Sequence, residues 1–212
     1  MSDNPRGLVV AEMSMSLDGF VAGPNETLEH GLGTRGGHHV FDWLSSGTRR
    51  FPPDKSMALR PEGASRGVIA ETFARFGAYV SGKRTYTLAR GWGGLHPAGV
   101  PTFVLTHNSD PDPPGDGTGL IFVTGGIEDA IDQAKVTAGA KDIALLGASP
   151  CQQALKAGLL DEIFVHVAPI LIGDGVRLFD HFGDDFIMLE QVDAFAGVNV
   201  AHLRYRVQGQ GS

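Results

Sequence analysis

One stretch in the second half of the chain limits the folds that are open to it. A short apolar run at residues 143–146 is followed by Gly147, by small residues and by Pro150. Ser149 is a candidate N-cap, and Pro150 stands in the first turn, the part of a helix that tolerates proline best. A second apolar run, residues 163–172, is rich in β-branched residues. This order predicts a strand, a tight turn, a helix and a second buried strand.

The turn in this unit is a candidate anion site. It leaves backbone N–H groups exposed at the N-terminus of the helix, where the helix dipole also favours negative charge. Gly147, Ala148 and Ser149 would then contact a phosphate, with Cys151 and Gln152 in the same part of the helix. The alternative is a turn that binds nothing, because the motif is far less specific than a full dinucleotide fingerprint.

Five segments, taken in their order along the chain, carry a family resemblance. They are Met-Ser-Met-Ser-Leu-Asp-Gly-Phe at 13–20, Val-Ser-Gly-Lys-Arg-Thr-Tyr at 80–86, Gly-Ala-Ser-Pro-Cys-Gln-Gln-Ala-Leu at 147–155, Ala-Gly-Leu-Leu-Asp-Glu-Ile at 157–163 and Val-Ala-Pro-Ile-Leu-Ile-Gly-Asp-Gly at 167–175. Together they resemble the reductase domain of riboflavin biosynthesis, which belongs to the dihydrofolate reductase-like superfamily. One difference is that Ala148 follows Gly147, where the family usually shows two or three glycines.

The resemblance implies a fold and an activity. The expected fold is a three-layer α/β/α domain, a mainly parallel twisted sheet with antiparallel C-terminal strands. We expect a single domain over residues 1–212, with flexible tails at 1–6 and 208–212. The implied activity is NADPH-dependent hydride transfer to a small heterocycle or a ribosylamino-pyrimidine. Two alternatives stay open: a pterin reductase of the dihydrofolate reductase type, and a nucleotide-binding module without turnover.

Composition excludes several classes of function. The chain has 212 residues, 42% hydrophobic and 19% charged, as is ordinary for one globular domain. Its formal net charge of −7 argues against binding of nucleic acid or of an anionic membrane surface. The single cysteine excludes an internal disulfide framework, and neither a signal peptide nor a membrane-spanning apolar run is present. We therefore expect a cytoplasmic protein that acts on a small molecule.

The first strand, predicted at residues 8–11, is expected to be central in the sheet, and the segment after it is a candidate active-site loop. Ligands of open α/β sheets bind at the carboxyl ends of strands. In the resembling family this segment lies beside the nicotinamide and the substrate, which makes Ser14 a candidate cofactor contact and Ser16 and Asp18 candidate catalytic residues. The alternative for Asp18 is structural, because an aspartate before a glycine commonly holds a turn through backbone N–H groups.

A long glycine-rich loop follows at residues 23–37, in the place of the lid over the nicotinamide in the resembling enzymes. His30 in this loop and His38 and His39 just after it lack the additional ligands that a zinc site requires, so we expect no metal. A second irregular stretch at residues 49–66, with several prolines, is predicted to be an insertion.

A short helix is predicted at residues 40–44. Asp42 lies on it between Phe41 and Trp43, so a carboxylate and two aromatic rings are available to hold a heterocycle. In folate reductases the helix after the lid carries the acidic residue that orients the pterin. The resemblance therefore makes Asp42 the first catalytic candidate and makes Phe41 and Trp43 substrate contacts. The alternative is a solvated helix surface.

A second anion site is predicted where a helix begins with Gly82, Lys83, Arg84 and Thr85. Basic residues at a helix N-terminus oppose the helix dipole and need another reason to be there. Arginine can bind a phosphate through two parallel hydrogen bonds. In the resembling family this segment binds the 2′-phosphate of NADPH, while Thr85 caps the pyrophosphate.

Further candidates follow other predicted strands. Thr106 and His107 come after residues 100–105 and would share the 2′-phosphate. Gly125 precedes a helix predicted at residues 127–136 and either approaches the cofactor or only makes a turn. The apolar face predicted for that helix consists of Ile127, Ala130, Ile131 and Ala134. Gly173 and Gly175 lie in a loop at the end of the strand at 163–172, near the expected substrate.

Other chemistries fit the sequence less well. A nucleophile elbow at Ser149 would lack its second glycine, and Pro150 would remove an N–H that an oxyanion hole needs. The Pro-Cys motif at Cys151 lacks the second cysteine of a zinc deaminase. Cys151 itself is interpreted as a packing residue, with a reactive thiol as the alternative.

A homodimer is expected from the resemblance, because the related reductases pair through sheet edges and C-terminal strands. The apolar run at 163–172 and the strand at 199–207 supply a surface for it, and two-fold dimers are the commonest assembly.

Overall fold

The structure is a computed structural model that describes residues 7–49, 59–108, 118–180 and 186–211. Its strands are β1 (Val9–Ser16), β2 (Phe20–Ala22), β3 (Phe76–Gly82), β4 (Thr102–Leu105), β5 (Leu120–Val123), β6 (Asp142–Leu146), β7 (Glu162–Ala168), β8 (Val176–Arg177), β9 (Phe186–Gly197) and β10 (Val200–Gly211). Its α-helices are α1 (Ser65–Arg75), α2 (Lys83–Leu88), α3 (Gly126–Ala138) and α4 (Ala148–Lys156), and 3₁₀ helices cover Gly37–Ser45 and Arg90–Gly94.

Eight of these strands form one sheet in the order β5-β4-β3-β6-β1-β7-β10-β9, and β2 pairs with β8 in a small second sheet. The strands from β5 to β7 run parallel, whereas β10 is antiparallel to both β7 and β9. The predicted mainly parallel sheet with antiparallel C-terminal strands is confirmed, and β1 is central as expected. No helix of the described ranges is long and apolar enough to cross a membrane.

The alternation of β1 divides the core into two layers. Val9 and Ala11 face one side, where they pack with Ile131 of α3 and Leu155 of α4. Val10 faces the other side, in a cluster that includes Trp43 and Phe164. Successive side chains of a strand point to opposite faces, so one apolar strand can serve both layers. The predicted buried face of α3 is confirmed, since its members have almost no exposed surface: Ile127, Ala130, Ile131 and Ala134.

Several predicted boundaries are wrong for local reasons. β7 ends at Ala168, because Pro169 has no N–H for the ladder, and residues 169–175 form a loop rather than the rest of a strand. β1 continues to Ser16, so the predicted active-site segment begins inside a strand. β10 pairs with β9 as far as Gly211, where the sequence predicts a flexible tail from residue 208.

The N-terminal tail at residues 1–6 and half of the predicted insertion, residues 50–58, lie outside the described residues, as do residues 109–117.

Buried ion pairs join the sheet to α1. Arg75 donates from Nε to Asp142 at 2.6 Å and from Nη1 to Glu162 at 2.7 Å. The three side chains are only 14%, 18% and 11% exposed. Arg75 therefore fixes the end of α1 against β6 and β7.

We expect Arg75→Ala to lower the free energy of unfolding by about 3 kcal/mol, because Asp142 and Glu162 lose a charge partner in a mostly buried setting. Arg206 is the control: it is 62% exposed and pairs with Glu190 at 2.8 Å. Arg206→Ala should cost less than about 1 kcal/mol. Urea unfolding of both variants measures the difference, and equal losses would show that burial does not strengthen the Arg75 pairs.

Candidate functional site

A cavity of about 690 Å³ opens at the edge where the parallel strands end. Its lining extends from Thr124, just after β5, to Met13 in β1. These strands are four spacings apart in the sheet, which corresponds to about 19 Å. Carboxyl ends of parallel strands meet at one edge, so the turns after β3, β4, β5 and β6 all contribute to the wall. The cavity is long enough for an extended ligand.

Three helices begin at this cavity. The N-cap residues of α2, α3 and α4 are Gly82, Gly125 and Gly147, and none of them supplies a side-chain acceptor for the first N–H groups. The first turn of α3 carries Glu128 and Asp129, whereas the first turns of α2 and α4 carry no acidic residue. An anion is therefore favoured at α2 and α4 and disfavoured at α3.

Gly147 is the position at which α4 meets α2. Its φ of 98° lies in the left-handed region, and a Cβ there would stand 2.4 Å from Oγ1 of Thr85. Its N–H donates to Sδ of Met13 at 3.2 Å. The predicted N-cap at Ser149 is wrong: the N-cap is Gly147, two residues earlier, and Ser149 Oγ accepts a hydrogen bond from Gln153 at 2.8 Å.

Cationic and polar side chains line the end of the cavity beside α2 and β4. Lys83, Arg84, Thr106 and His107 are among them. Nζ of Lys83 lies 4.8 Å and 4.5 Å from the ring centroids of Tyr86 and Phe122. This end supplies the local positive charge that an anionic ligand needs in a chain of net charge −7.

The opposite end of the cavity, beside β1, is apolar. Met13, Val21, Leu32, Phe41 and Val176 line it. Leu32 belongs to the lid loop, which we define as residues 23–36, between β2 and the 3₁₀ helix. The cavity thus changes from cationic to apolar along its length.

Ser14 and Ser16 point away from this cavity, because they alternate with Met13 along β1. Ser14 is 3% exposed, and its Oγ accepts a hydrogen bond from Nε1 of Trp43 at 3.0 Å. Ser16 is fully buried; it accepts from the N–H of Phe20 at 2.9 Å and donates to Asp18 at 2.6 Å. The structure does not bring these two predicted residues to the cavity wall.

Asp18 anchors the loop after β7. Its carboxylate accepts hydrogen bonds from the backbone N–H groups of Ile172, at 3.1 Å, and Gly173, at 2.8 Å. Desolvation acts to raise the pKa of Asp18, but the hydrogen bonds from Ser16, Ile172 and Gly173 outweigh it and leave the pKa below its usual value. These hydrogen bonds support the turn-holding alternative for Asp18. Gly175 in the same loop is also structural, since a Cβ there would stand 2.2 Å from the carbonyl oxygen of Ala22.

Asp42 lies outside the cavity lining. Its side chain is 63% exposed and accepts a hydrogen bond from Nδ1 of His39 at 2.6 Å. Trp43 is also absent from the lining: it is 3% exposed and packs against His166 and His202. Phe41 alone of this predicted substrate group reaches the cavity.

Two residues predicted to bind the cofactor have other roles. Cys151 is fully buried, its Sγ lies 3.8 Å from the carbonyl oxygen of Leu145, and burial raises its pKa to about 12. It is a packing residue, as the sequence suggests, and it cannot touch a ligand. Gln152 donates from Nε2 to the carbonyl oxygens of Arg177 and Leu178, both at 3.1 Å, and so ties α4 to the end of β8.

The structure therefore brings most of the predicted cofactor residues together and leaves the predicted catalytic residues apart. The predicted residues that line the cavity are Phe41, Gly82, Lys83, Arg84, Thr85, Thr106, His107, Gly147, Ala148 and Ser149. Sequence reasoning missed Met13, Glu26, Gly126 and Gln153. Gly126 and Gln153 are next to predicted positions. Strand alternation places Met13 and Ser14 on opposite faces without showing which of them faces the cavity, and no local signal marks Glu26. Within the described ranges, no three His, Cys, Asp or Glu side chains are grouped to hold a metal.

A cavity at the carboxyl ends of parallel strands, bounded by helix N-termini, is typical of α/β proteins that bind phosphate-bearing ligands. Family comparison gives the particular class. The RibD C-terminal domain model matches residues 8–202, so the chain belongs to the RibD C-terminal domain family. The resemblance that the motifs carry is confirmed. No curated protein matches the chain significantly in sequence.

Solved structures agree on the fold. A Shewanella sp. PV-4 protein assigned to riboflavin biosynthesis is 22% identical, with a TM-score of 0.68 and coverage of 95% of this chain and 99% of that one. The deaminase/reductase of Thermotoga maritima is 11% identical, with a TM-score of 0.61 and coverage of 96% and 57%. Dihydrofolate reductase of Enterococcus faecalis is 13% identical, with a TM-score of 0.55 and coverage of 96% and 98%. The chain has the dihydrofolate reductase-like fold and spans 57% of the Thermotoga protein.

We expect Gly147→Ala to lower the free energy of unfolding by about 2 kcal/mol, because alanine is strained at this backbone conformation and its methyl group meets Thr85. Gly67→Ala is the matched control, since Gly67 lies in α1 with open space around its Cβ position. That variant should be neutral or up to about 1 kcal/mol more stable. Chemical unfolding measures both, and a neutral Gly147→Ala would contradict the proposed contact.

Proposed function

We propose that this protein is an NADPH-dependent reductase that transfers hydride to a small heterocyclic substrate. One observation carries the proposal: the cavity is cationic at one end, bounded by two uncapped helix N-termini in its middle and apolar at the other end. A nicotinamide dinucleotide has the same sequence of groups, from phosphorylated ribose through pyrophosphate to a flat ring. Family membership supports a reductase of riboflavin biosynthesis.

The residues present fit this cofactor. Gly147 leaves no Cβ between α4 and Thr85, which is the kind of gap that allows a phosphate to approach the backbone closely. Lys83, Arg84 and His107 would hold the 2′-phosphate, and the N-termini of α2 and α4 would hold the pyrophosphate. When bound, the cofactor supplies the hydride. Met13 and Phe41 would exclude water from the apolar end and orient the ring there.

The substrate class is proposed from the family. The Thermotoga protein is a 5-amino-6-(5-phosphoribosylamino)uracil reductase fused to a deaminase, and we propose a ribosylamino-pyrimidine of this kind as the substrate. A dihydropterin is the second candidate, because the Enterococcus protein with the same fold is a dihydrofolate reductase. Binding of the nucleotide without turnover of either substrate would favour a nucleotide-binding module.

The proposed function predicts which nicotinamide cofactor the protein prefers. NADPH should bind at least about tenfold more tightly than NADH, because its 2′-phosphate gains charge-assisted hydrogen bonds. NADPH should therefore raise the melting temperature more than NADH at equal concentration. Arg84→Ala should remove most of the difference. Equal shifts for the two nucleotides, or none, would refute the NADPH assignment.

For Asp42 the sequence predicts a catalytic role, whereas the structure predicts an exposed residue outside the cavity. The carboxylate is exposed and paired with His39, so we expect Asp42→Asn to change turnover by less than about threefold. The sequence-based catalytic role requires a loss of at least about 100-fold. NADPH oxidation with ribosylamino-pyrimidine and dihydropterin substrates measures it. A loss of the larger size would place Asp42 at the substrate after all.

We also propose a homodimer, but with a different surface from the one that the sequence suggests. β7 lies between β1 and β10, and β10 lies between β7 and β9, so neither strand has a free edge. The edge strands of this sheet are β5 and β9, and β9 is the one that exposes several large apolar side chains: Phe186, Met188, Leu189 and Val192 are 40–56% exposed. A long edge strand with exposed apolar side chains favours pairing with another copy of the chain.

Sedimentation at micromolar concentration should therefore show twice the mass of 22.4 kDa. Leu189→Glu should shift the protein toward the monomer, because a charge on this edge disfavours strand pairing. Val136→Glu is the control, since Val136 is 85% exposed on α3, away from this edge. A monomeric wild-type protein would reject the dimer.

A further inference from the structure

An ion pair that no sequence motif predicts joins two parts of the cavity wall, the lid loop and α2. Glu26 of the lid loop accepts a hydrogen bond from Nε of Arg84 at 2.5 Å, and its carbonyl oxygen accepts one from Nη2 of Arg84 at 2.7 Å. Both residues line the cavity. Arg84 is 64% exposed, whereas the Glu26 side chain is only 9% exposed, so the carboxylate is turned inward onto the arginine.

The lid loop is built as a closed unit. Its two ends are held together by hydrogen bonds from Gly23 N–H to the Leu32 carbonyl, at 2.9 Å, and from Thr34 N–H to the Pro24 carbonyl, at 2.8 Å. A Cβ on Gly23 would stand 1.9 Å from the Thr34 carbonyl oxygen, so the backbone at the start of the loop is in contact with the backbone near its end. We expect a loop closed in this way to behave as a rigid unit. The contacts of Glu26 with Arg84 attach this unit to α2.

The arginine in this pair is also the residue that a phosphate would bind. Glu26 occupies the Nε–H and one Nη2–H of the guanidinium, so a phosphate that binds through this side of Arg84 must displace it. A phosphate that binds elsewhere on the guanidinium is still repelled by the neighbouring carboxylate. Glu26 and a ligand phosphate therefore compete for Arg84.

We propose that Glu26 is a specificity-determining residue that latches the lid loop to Arg84 and is displaced by a phosphate group of the ligand. A ligand without phosphate leaves the latch closed, whereas a phosphorylated one takes over Arg84 and releases the loop. The ligand class rests on the proposed function, namely a phosphorylated nucleotide in this cavity. The latch itself rests on the Glu26–Arg84 contacts alone.

The latch is tested without any ligand by limited proteolysis. Arg35 is an exposed residue of the lid loop, so trypsin cleavage after Arg35 reports release of the loop. Glu26→Gln should speed this cleavage by about fivefold, the effect expected for losing one partly buried ion pair. Glu29→Gln, which removes the same charge from an exposed position of the same loop, should leave the rate unchanged. Equal rates for the two variants would overturn the latch.

A double variant shows whether the two residues act together. Arg84→Gln should speed cleavage at least as much as Glu26→Gln does, because it also removes the bond to the Glu26 carbonyl oxygen, and the variant with both changes should be no faster than Arg84→Gln alone. Additive rates would mean that Glu26 holds the loop by other contacts and would also overturn the proposal.

Ligand selection is tested by calorimetric titration with adenosine 2′,5′-bisphosphate and with adenosine. Glu26→Gln should bind the bisphosphate at least about fivefold more tightly than wild type, because the phosphate no longer competes with a carboxylate. The affinity for adenosine should be unchanged. An equal gain for both probes, or none for the bisphosphate, would show that Glu26 does not select for phosphate. If neither protein binds either probe, the proposed function fails, and the cleavage rates still decide the latch.

Discussion

The arrangement of the cavity depends on the contact between Gly147 and Thr85. A side chain at position 147 would meet the Thr85 hydroxyl at 2.4 Å, so glycine alone lets the start of α4 approach the start of α2 this closely. The approach places two uncapped helix N-termini side by side at the ends of β3 and β6. The free N–H groups and the dipoles of these termini favour negative charge there even without a basic side chain.

The same edge of the sheet explains why the cavity has a polarity gradient. Lys83, Arg84, Thr106 and His107 follow β3 and β4, whereas Met13 belongs to β1, on the other side of β6. The order of strands in the sheet, rather than their order in the sequence, therefore arranges the lining groups along one line. Family membership and this gradient together support a reductase that binds a nicotinamide nucleotide.

Polar residues near the site divide into those that line the cavity and those that support it. Asp18 is occupied by three donors, two of them backbone N–H groups of the loop after β7. Ser14 accepts from the buried Trp43 indole, and Gln152 ties α4 to β8. These side chains hold the loops around the cavity without reaching a ligand. A motif that resembles a family's active site can therefore carry structural as well as chemical roles.

The sequence by itself determined the central position of β1 and the buried face of α3, because apolar periodicity is a local signal, and its family motifs indicated the fold class and ten of the residues that line the cavity. Only the tertiary structure decided the rest. It decided which of the two alternating faces of β1 meets the cavity, placed Asp42 in solvent and closed Glu26 onto Arg84. These outcomes depend on contacts between segments far apart in the chain, and neither spacing nor composition encodes which side of a strand or loop faces the cavity.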